Sequence, residues 1–363
     1  MSAVKHGNKE MQFEYTPIPT KAVFAENAAL KLKDEVEKLG CRRVMIACSA
    51  GMVKRIDHII ESLGPLCVAL YNGAKPHCPE QVAMEALELY NKKNADCIVA
   101  IGGGSTIGIG KAIALRTDAK FIVIATTPCG SESTPIYGML IGNQKKTGRD
   151  VRVIARTTIY DPMLTTGLNA HLTGTIGMNS LAHCVEALYA KDKNPVSDLY
   201  AIEGIVALTK GIKGSILNPN DLNARAQVLY GGMLSGYCVN LAGIAIHHKI
   251  CHVLGGHHGI PHGESNSVIL PYAIAYNETA APFAMEKITT AMKTKSASGG
   301  VYDFARDINV PKSLKELGMR EEHLDIAAKE TVETTPFNPK PVDFQSVRAL
   351  LQQAYEGIRP IPY

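Results

Sequence analysis

The first 160 residues alternate between short apolar segments and longer amphipathic ones, and this alternation restricts the possible fold more than any other feature. Strand-like segments such as "RRVMIACSA", "DCIVAIGGG" and "KFIVIATTP" are separated by helix-like segments such as "NAALKLKDEVEKLG" and "PEQVAMEALELYNKKN". Short apolar strands separated by helices form a parallel sheet with helices on both faces. We therefore predict an α/β domain that covers residues 1–160.

The pattern changes after Asp161-Pro162, where the strand-like segments stop. Long helical segments follow, among them "GMNSLAHCVEALYA" and "NARAQVLYGGMLSGYCVNLAGIAIHHKICHVLGG", and we interpret the second as one long helix that ends at Gly255-Gly256. A chain of 363 residues is long enough to form two separate cores. The sequence therefore predicts a second, almost entirely helical domain over residues 161–363, with a cleft between the two domains.

The composition limits the partners and the location of the protein. The formal net charge is +4 and the lysines and arginines are scattered, whereas nucleic-acid binding needs basic groups gathered on one face. The nine cysteines form no CxxC pair, which is typical of thiols in a reducing compartment. The sequence shows no signal segment in "MSAVKHGNKEMQFEY" and no long apolar run, so we expect a cytoplasmic protein that binds neither nucleic acid nor membrane.

A glycine-rich turn joins a strand-like segment to a helical one in "CIVAIGGGSTIGIGKAIAL". Gly102, Gly103, Gly104 and Ser105 form this turn. Glycines there let the backbone approach a pyrophosphate, and the start of the following helix favours negative charge. The turn predicts a dinucleotide site, although the same four residues also occur in plain tight turns.

Two further segments extend the predicted cofactor site along the same edge of the sheet. The loop "ATTPCGSESTP" offers the hydroxyls of Thr126, Thr127 and Ser131 to the phosphates or to the nicotinamide ribose. The first strand ends in "IACSAG", so Ser49 stands where an NAD-selective site often has an acid. Because no carboxylate repels a 2′-phosphate there, we expect NADPH to be accepted alongside NADH.

Half of the twelve histidines lie in "HHKICHVLGGHHGIPHG", residues 247–263. His248 and His252 are four residues apart on a helix, and His262 follows in a loop. Asn179 and His183 show the same spacing in "GMNSLAHCVEALYA", so each pair projects from one helix face. We predict that the three segments converge on one site.

Simpler interpretations apply to some of these histidines. His247, His257 and His258 fit capping or surface positions near a helix end, where a protonated imidazole is favourable. His183 also fits a core histidine whose ring is hydrogen-bonded.

Several motifs together carry a resemblance to a known family. "GGGSTIGIGKAIA", "TTPCGSE", "YDP", "GMNSLAHCVEALYA" and "HHKICHVLGGHHGIPHG" resemble the iron-containing (group III) alcohol dehydrogenases over about residues 12–290. The maleylacetate reductase branch is most similar, with "GMNALAHCVEALYA", "TTGRD" and "LPHALAYN" where this chain has "GMNSLAHCVEALYA", "KKTGRD" and "LPYAIAYN". The resemblance implies a Rossmann-like N-terminal domain and an all-helical C-terminal domain in a dehydroquinate synthase-like architecture, NADH or NADPH as cofactor, and commonly a homodimer.

The resemblance also implies roles for the polar residues. Metal-binding members have Asp at position 179 and histidines at 183, 248 and 262, and His252 matches a histidine near the nicotinamide. Here Asn179 removes the only anionic ligand, and the maleylacetate reductases, which share this Asn, are regarded as working without metal. Three histidines alone can still hold zinc, so iron or zinc stays open. We expect no metal and a polar, cationic pocket for a dicarboxylate.

The leading functional hypothesis is NAD(P)H-dependent reduction of maleylacetate to 3-oxoadipate in the breakdown of aromatic compounds. His252 is the expected proton donor, while His248 and His183 polarise the carbonyl or hold a carboxylate. Arg149 and Lys145 or Lys146 are weaker candidates for binding anions.

Three alternatives remain at this stage. The segment "PHGESNS" is closer to the "PHGxAN" of metal-dependent alcohol dehydrogenases, which keeps a metal-dependent alcohol or aldehyde dehydrogenase open. A dehydroquinate synthase-like lyase and a non-catalytic nucleotide-binding protein are the other two.

Overall fold

A six-stranded parallel sheet forms the first part of the protein, for which a computed structural model describes residues 12–142 and 144–361. The strands lie in the order β1-β8-β5-β4-β2-β3, and all their pairings are parallel. Their bounds are β1 Lys21–Phe24, β2 Val44–Ala47, β3 Cys67–Tyr71, β4 Cys97–Gly102, β5 Lys120–Ala125 and β8 Thr157–Tyr160. The connecting helices are α1 Leu32–Lys38, α2 Val53–Leu63, α3 Glu80–Lys92 and α4 Gly104–Arg116.

The central strands are buried on both faces, as their apolar sequences predict. Every residue of β2 and β4 is buried, and one hydrophobic cluster packs on each side of the sheet. β4 and β5 pair in register from Cys97 opposite Lys120 to Gly102 opposite Ala125. The loops after these two strands therefore leave the sheet at the same edge, and the predicted parallel α/β sheet is confirmed.

Two elements of this part escape the sequence patterns. β1 is a four-residue edge strand that is mostly exposed and pairs only with β8, so it lacks the apolar run that marks a central strand. An antiparallel hairpin joins β6, Ile136–Ile141, to β7, Gln144–Arg149. Its second strand is polar, because it lies outside the main sheet.

Helices alone follow β8 in the residues that the structure describes. They are α5 Ala170–Ala187, α6 Pro195–Leu217, α7 Leu222–Ala242, α8 Ile246–His257, α9 His262–Asn277, α10 Pro282–Met292, α11 Ala297–Asp307, α12 Leu324–Thr334 and α13 Phe344–Glu356. One large apolar cluster joins α5, α6 and α7, and a second joins α8, α9, α12 and α13. The predicted helical C-terminal region is confirmed, while the boundary at residues 160 and 161 stays a prediction.

The predicted long helix over residues 223–256 is wrong, because the chain bends by 103° between α7 and α8. Gly243 lies at the bend with a φ of 81°, a left-handed conformation that glycine adopts without strain. α8 continues through Gly255-Gly256 to His257, and His262 is the first residue of α9 instead of a loop residue. The bend turns α8 away from α7 and brings its histidines beside α5.

The structure also bears on the predicted location. Within the described residues, no single helix is both long and apolar enough to cross a membrane; α7 and α8 together meet those limits but are sharply bent. All nine cysteines are free thiols. The signal-segment prediction concerns residues 1–15, of which the first eleven lie outside the described residues.

Candidate active site

A cleft of about 420 Å³ lies at the edge of the sheet where the glycine-rich turn ends β4. Its walls come from both parts of the chain. They are formed by Ser49, Ala74, Lys75, Pro76, Gly103, Gly104, Ser105, Thr106, Thr127, Cys129, Ile176, Asn179, His262 and Gly263. The cleft thus joins predicted cofactor residues to two of the predicted catalytic residues.

The glycine-rich turn presents bare backbone to this cleft. α4 begins at Gly104, and no side chain caps its first turn. A Cβ at Gly103 would stand 2.6 Å from Thr127 Oγ1, and one at Gly102 would stand 2.5 Å from Thr106 Oγ1. Both positions therefore require glycine, and the start of a 13-residue helix faces an open space suited to a pyrophosphate.

The second loop contributes fewer hydroxyls than the sequence predicts. Thr127 and Cys129 line the cleft. Thr126 is buried, and its backbone N–H donates to Gly102 O at 3.1 Å. Ser131 is outside the cleft lining and accepts a hydrogen bond through its carbonyl oxygen. Of the three residues whose hydroxyls were predicted to reach the cofactor, Thr127 is therefore the one that lines the cleft.

Lys111 is a buried residue that the sequence analysis missed, and it holds the second loop in place. Its Nζ donates to Ser131 O at 2.6 Å, to Thr134 O at 2.9 Å and to Ile136 O at 2.6 Å. Burial lowers the pKa of Lys111 to about 7, although Glu132 opposes that shift. A lysine inside the apolar segment "GIGKAIAL" was the available signal, because a buried lysine needs acceptors.

The opposite end of the cleft carries Ser49 and Lys75. Ser49 follows β2, and a backbone bridge pairs it with Gly73 in the loop after β3. The predicted position of Ser49 in the cleft agrees with the structure. The sequence analysis did not identify Lys75. It could have been found as a lysine in the polar loop after a strand, at the sheet edge where such folds bind ligands.

The four predicted histidines form a continuous array on α5, α8 and α9. The rings of His183 and His248 stack with centroids 4.0 Å apart and planes 17° apart. The His252 ring lies 6.3 Å from that of His248 and 6.0 Å from that of His262. His248 is buried and His252 is exposed, so the array runs from the protein interior to the surface.

Glu186 supports this array and was also missed by the sequence analysis. Its Oε2 lies 2.6 Å from His248 Nδ1, and its Oε1 accepts the backbone N–H of His247 at 2.8 Å. Both side chains of the Glu186–His248 pair are buried. The signal was available in "HCVEALYA", because Glu186 is three residues after His183 and therefore lies near it on α5.

The remaining histidines have different environments. His247 is fully buried and its Nε2 lies 2.8 Å from Asn266 Oδ1, so the predicted surface or capping position is wrong for it. His257 is exposed and its Nδ1 pairs with Glu330 Oε2 at 2.8 Å, which agrees with a surface position. His258 is the C-cap residue of α8, which agrees with the predicted capping position, although its side chain is only 6% exposed.

Burial determines the charge of the innermost histidines. Burial, followed by the neighbouring imidazoles of His248, His262 and His247, lowers the pKa of His183 well below its usual value. Burial also lowers the pKa of His247. His183 is therefore neutral at neutral pH and adds no positive charge to the predicted cationic pocket.

The described side chains around Asn179 and His183 are not grouped as a metal site. Stacked rings such as those of His183 and His248 direct their nitrogens along nearly parallel planes instead of toward one point, and Asn179 supplies no charge. Among the residues that the structure describes, no three His, Cys, Asp or Glu side chains are grouped to hold a metal. Asn179 Oδ1 and His183 Nδ1 are buried and make no hydrogen bond with described residues, so they are available to a polar ligand.

The weaker anion-binding candidates lie elsewhere. Arg149 is outside the cleft lining and binds the side chain and the carbonyl oxygen of Asn240 on α7. Lys146 lies in the hairpin strand β7, and the side chain of Lys145 is outside the described part of the chain.

Comparison with known proteins gives consistent matches along the chain. Residues 19–162 match the family model for iron-containing alcohol dehydrogenase, and residues 173–355 match that for the C-terminal part of the Fe-containing alcohol dehydrogenase family. Maleylacetate reductase from Rhizobium sp. strain MTP-10005 is 40% identical over 96% of this chain and 99% of its own length. The enzyme of that name from Burkholderia cepacia is 42% identical over 94% of this chain and 97% of its own length. The crystal structure of maleylacetate reductase from Agrobacterium tumefaciens superposes with a TM-score of 0.93 at 38% identity, covering 96% of this chain and 99% of that one.

Proposed function

The chain belongs to the iron-containing alcohol dehydrogenase family and is an NAD(P)H-dependent oxidoreductase, and from that premise we propose that it reduces maleylacetate to 3-oxoadipate. The observation that carries this proposal is the placement of Asn179 and His262 opposite the glycine-rich turn in one cleft. An uncharged amide suits a dicarboxylate better than the acid of the metal-binding members, because an acid would repel it.

The cleft orients the two reactants toward each other. Gly103, Gly104 and Ser105 would hold the pyrophosphate at the start of α4, and the Thr127 hydroxyl would bind the nicotinamide ribose. When bound, the cofactor would supply a hydride to the alkene carbon that lies β to the ketone. Negative charge then develops on the ketone oxygen of the substrate as an enolate.

The histidine array stabilises this charge and returns a proton. His183 Nδ1 has no hydrogen bond with another described residue, and when it carries the ring proton it donates to the carbonyl or to a carboxylate. Asn179 Oδ1 is an acceptor, so Asn179 binds these oxygens through its Nδ2 amide protons. Glu186 holds the His248 ring in place through the contact between its Oε2 and His248 Nδ1. His252 is exposed and takes up a proton from solvent, which makes it the donor to the enolate carbon.

We include the absence of a metal in the proposal. The stacked rings of His183 and His248 and the neutral Asn179 support it, because a divalent cation held by neutral ligands alone keeps its full charge. The proposal also includes the domain boundary near residue 160 and a cytoplasmic homodimer. Gly102, Thr126 and Ser131 support the cofactor site indirectly, because their backbone hydrogen bonds position the two loops that line it.

One experiment tests both the substrate assignment and the metal-free mechanism. Purified protein is treated with a chelator, dialysed, analysed for metals and assayed. We expect oxidation of NADH and NADPH with maleylacetate at the rate of untreated protein. Loss of activity that iron or zinc restores would refute the metal-free mechanism. Absence of turnover with maleylacetate in every preparation would refute the substrate assignment.

A second candidate is a metal-dependent alcohol or aldehyde dehydrogenase, which the segment "PHGESNS" favours. One tightly held iron or zinc per chain, together with oxidation of simple alcohols, would support it. The lyase hypothesis is less well supported, because it needs acidic and basic phosphate ligands and the cleft lining contains one lysine and no carboxylate among the described residues.

A further inference from the structure

We propose that Lys75 binds the 2′-phosphate of NADPH and gives this enzyme a preference for NADPH over NADH. This inference rests on the proposed function only in assuming that the cleft binds a nicotinamide dinucleotide. It assigns a specificity-determining role to a residue outside the histidine array.

The sheet order assigns Lys75 to the adenosine end of the cleft. The neighbouring strands run β5-β4-β2-β3. The loop with Thr127 follows β5, on one side of the pyrophosphate turn after β4, whereas Ser49 follows β2 and Lys75 follows β3 on the other side. A dinucleotide that crosses the turn places its nicotinamide toward Thr127 and its adenosine ribose toward Ser49. Lys75 is therefore remote from the reacting carbon and close to the adenosine ribose.

Backbone contacts hold the Ser49 and Lys75 loops side by side. The N–H of Cys48 donates to Tyr71 O at 2.9 Å, and the N–H of Ala74 donates to Cys48 O at 3.3 Å. Lys75 O accepts the N–H of Cys78 at 3.2 Å, which closes the loop. These contacts hold the backbone of the two loops together, and both Lys75 and Ser49 line the same cleft.

The charges in the cleft favour an added phosphate. Lys75 is the sole lysine or arginine in the lining formed by described residues, and that lining contains no Asp or Glu. The Lys75 ammonium is exposed and makes no hydrogen bond or ion pair with another described residue. Ser49 adds a hydroxyl where a carboxylate would repel the phosphate. An uncommitted ammonium beside a neutral donor is suited to a phosphate dianion.

Nucleotide binding without maleylacetate tests the inference on the full-length protein. Binding of NADPH and of NADH is measured by titration, with the fluorescence of the nucleotide as the signal. The proteins compared are wild type, Lys75→Gln, Lys75→Arg and Lys75→Glu. The control is Lys92→Gln, which changes an exposed lysine at the far end of α3. We expect Lys75→Gln to raise the Kd of NADPH about tenfold and that of NADH less than about twofold. Lys75→Arg and Lys92→Gln should keep the preference, and Lys75→Glu should reverse it.

Competition with fragments locates the contact. Adenosine 2′,5′-bisphosphate should displace NADPH from wild type more strongly than AMP, and Lys75→Gln should abolish that difference. Equal changes for NADPH and NADH, or an unchanged ratio in both Lys75→Gln and Lys75→Glu, would overturn the inference. Good nucleotide binding without maleylacetate turnover would refute the proposed substrate and leave the inference standing, so the two failures are distinguishable.

Discussion

His248 Nδ1 and Glu186 Oε2 lie 2.6 Å apart, with both side chains buried. The pair joins α8 to α5 one turn from His183, at the inner end of the histidine array. A buried carboxylate that accepts from a ring nitrogen fixes both the orientation and the proton position of the imidazole. Glu186 is therefore a positioning residue whose effect reaches the substrate through His248.

Glu186→Gln should lower kcat about 10²-fold, because an amide does not fix the orientation and tautomer of the His248 ring as the carboxyl group does. The KM for NADPH should stay within about twofold, since Glu186 is outside the cofactor cleft. Steady-state kinetics with maleylacetate measures both constants. An equal rise in KM for NADPH, or an unchanged kcat, would contradict the positioning role.

His252→Asn should lower kcat by about 10² to 10⁴-fold, because it removes the proton donor while keeping a polar side chain. His257→Asn is the matched control, since His257 lies on the same helix, is exposed and pairs with Glu330 outside the cleft lining. That control should retain wild-type kcat. A His252→Asn enzyme with wild-type kcat would assign the proton transfer to another group.

Lys111→Met should destabilise the fold by about 3 kcal/mol, because the carbonyl oxygens of Ser131, Thr134 and Ile136 lose their shared, buried donor. The loop that carries Thr127 should also loosen, so NADPH binding should weaken. Urea denaturation and nucleotide titration measure the two effects, with exposed Lys54→Gln as the control. Unchanged stability would show that the loop does not depend on this lysine.

The ion pairs of Glu35 should make part of the protein's stability depend on pH. Burial raises its pKa, but hydrogen bonds from Lys21 and Lys38 lower it more, so the net pKa is below the usual 4.5. A carboxyl group with a lowered folded-state pKa stabilises the protein above pH 4.5, and this contribution disappears as the pH falls through the folded-state pKa.

Glu35→Gln should therefore reduce the free energy of unfolding by about 1 kcal/mol at neutral pH, a modest value because both lysines are half-exposed. The difference from wild type should shrink as the pH falls below about 4.5. Urea denaturation at several pH values measures it. A difference that grows toward acidic pH would contradict the ion-pair account.

The sequence predicted the parallel sheet, the helical C-terminal region and the convergence of the histidines, because each depends on local periodicity or on residue spacing along one helix. The break at Gly243 was not predictable in this way, since the flanking segments have the same helical pattern. Lys111 and Glu186 were missed for a different reason. Their importance comes from partners on other elements, such as Ile136 and His248, which only the folded chain brings together.

Isotope labelling of the transferred hydride tests most directly whether the enzyme reduces the alkene of maleylacetate. NADPH deuterated at the transferred position is oxidised with maleylacetate, and the product is analysed by NMR. We expect deuterium in 3-oxoadipate on the methylene carbon β to the ketone, because the alkene is reduced and the ketone is retained. Deuterium on a carbinol carbon, or no transfer to maleylacetate at all, would contradict it.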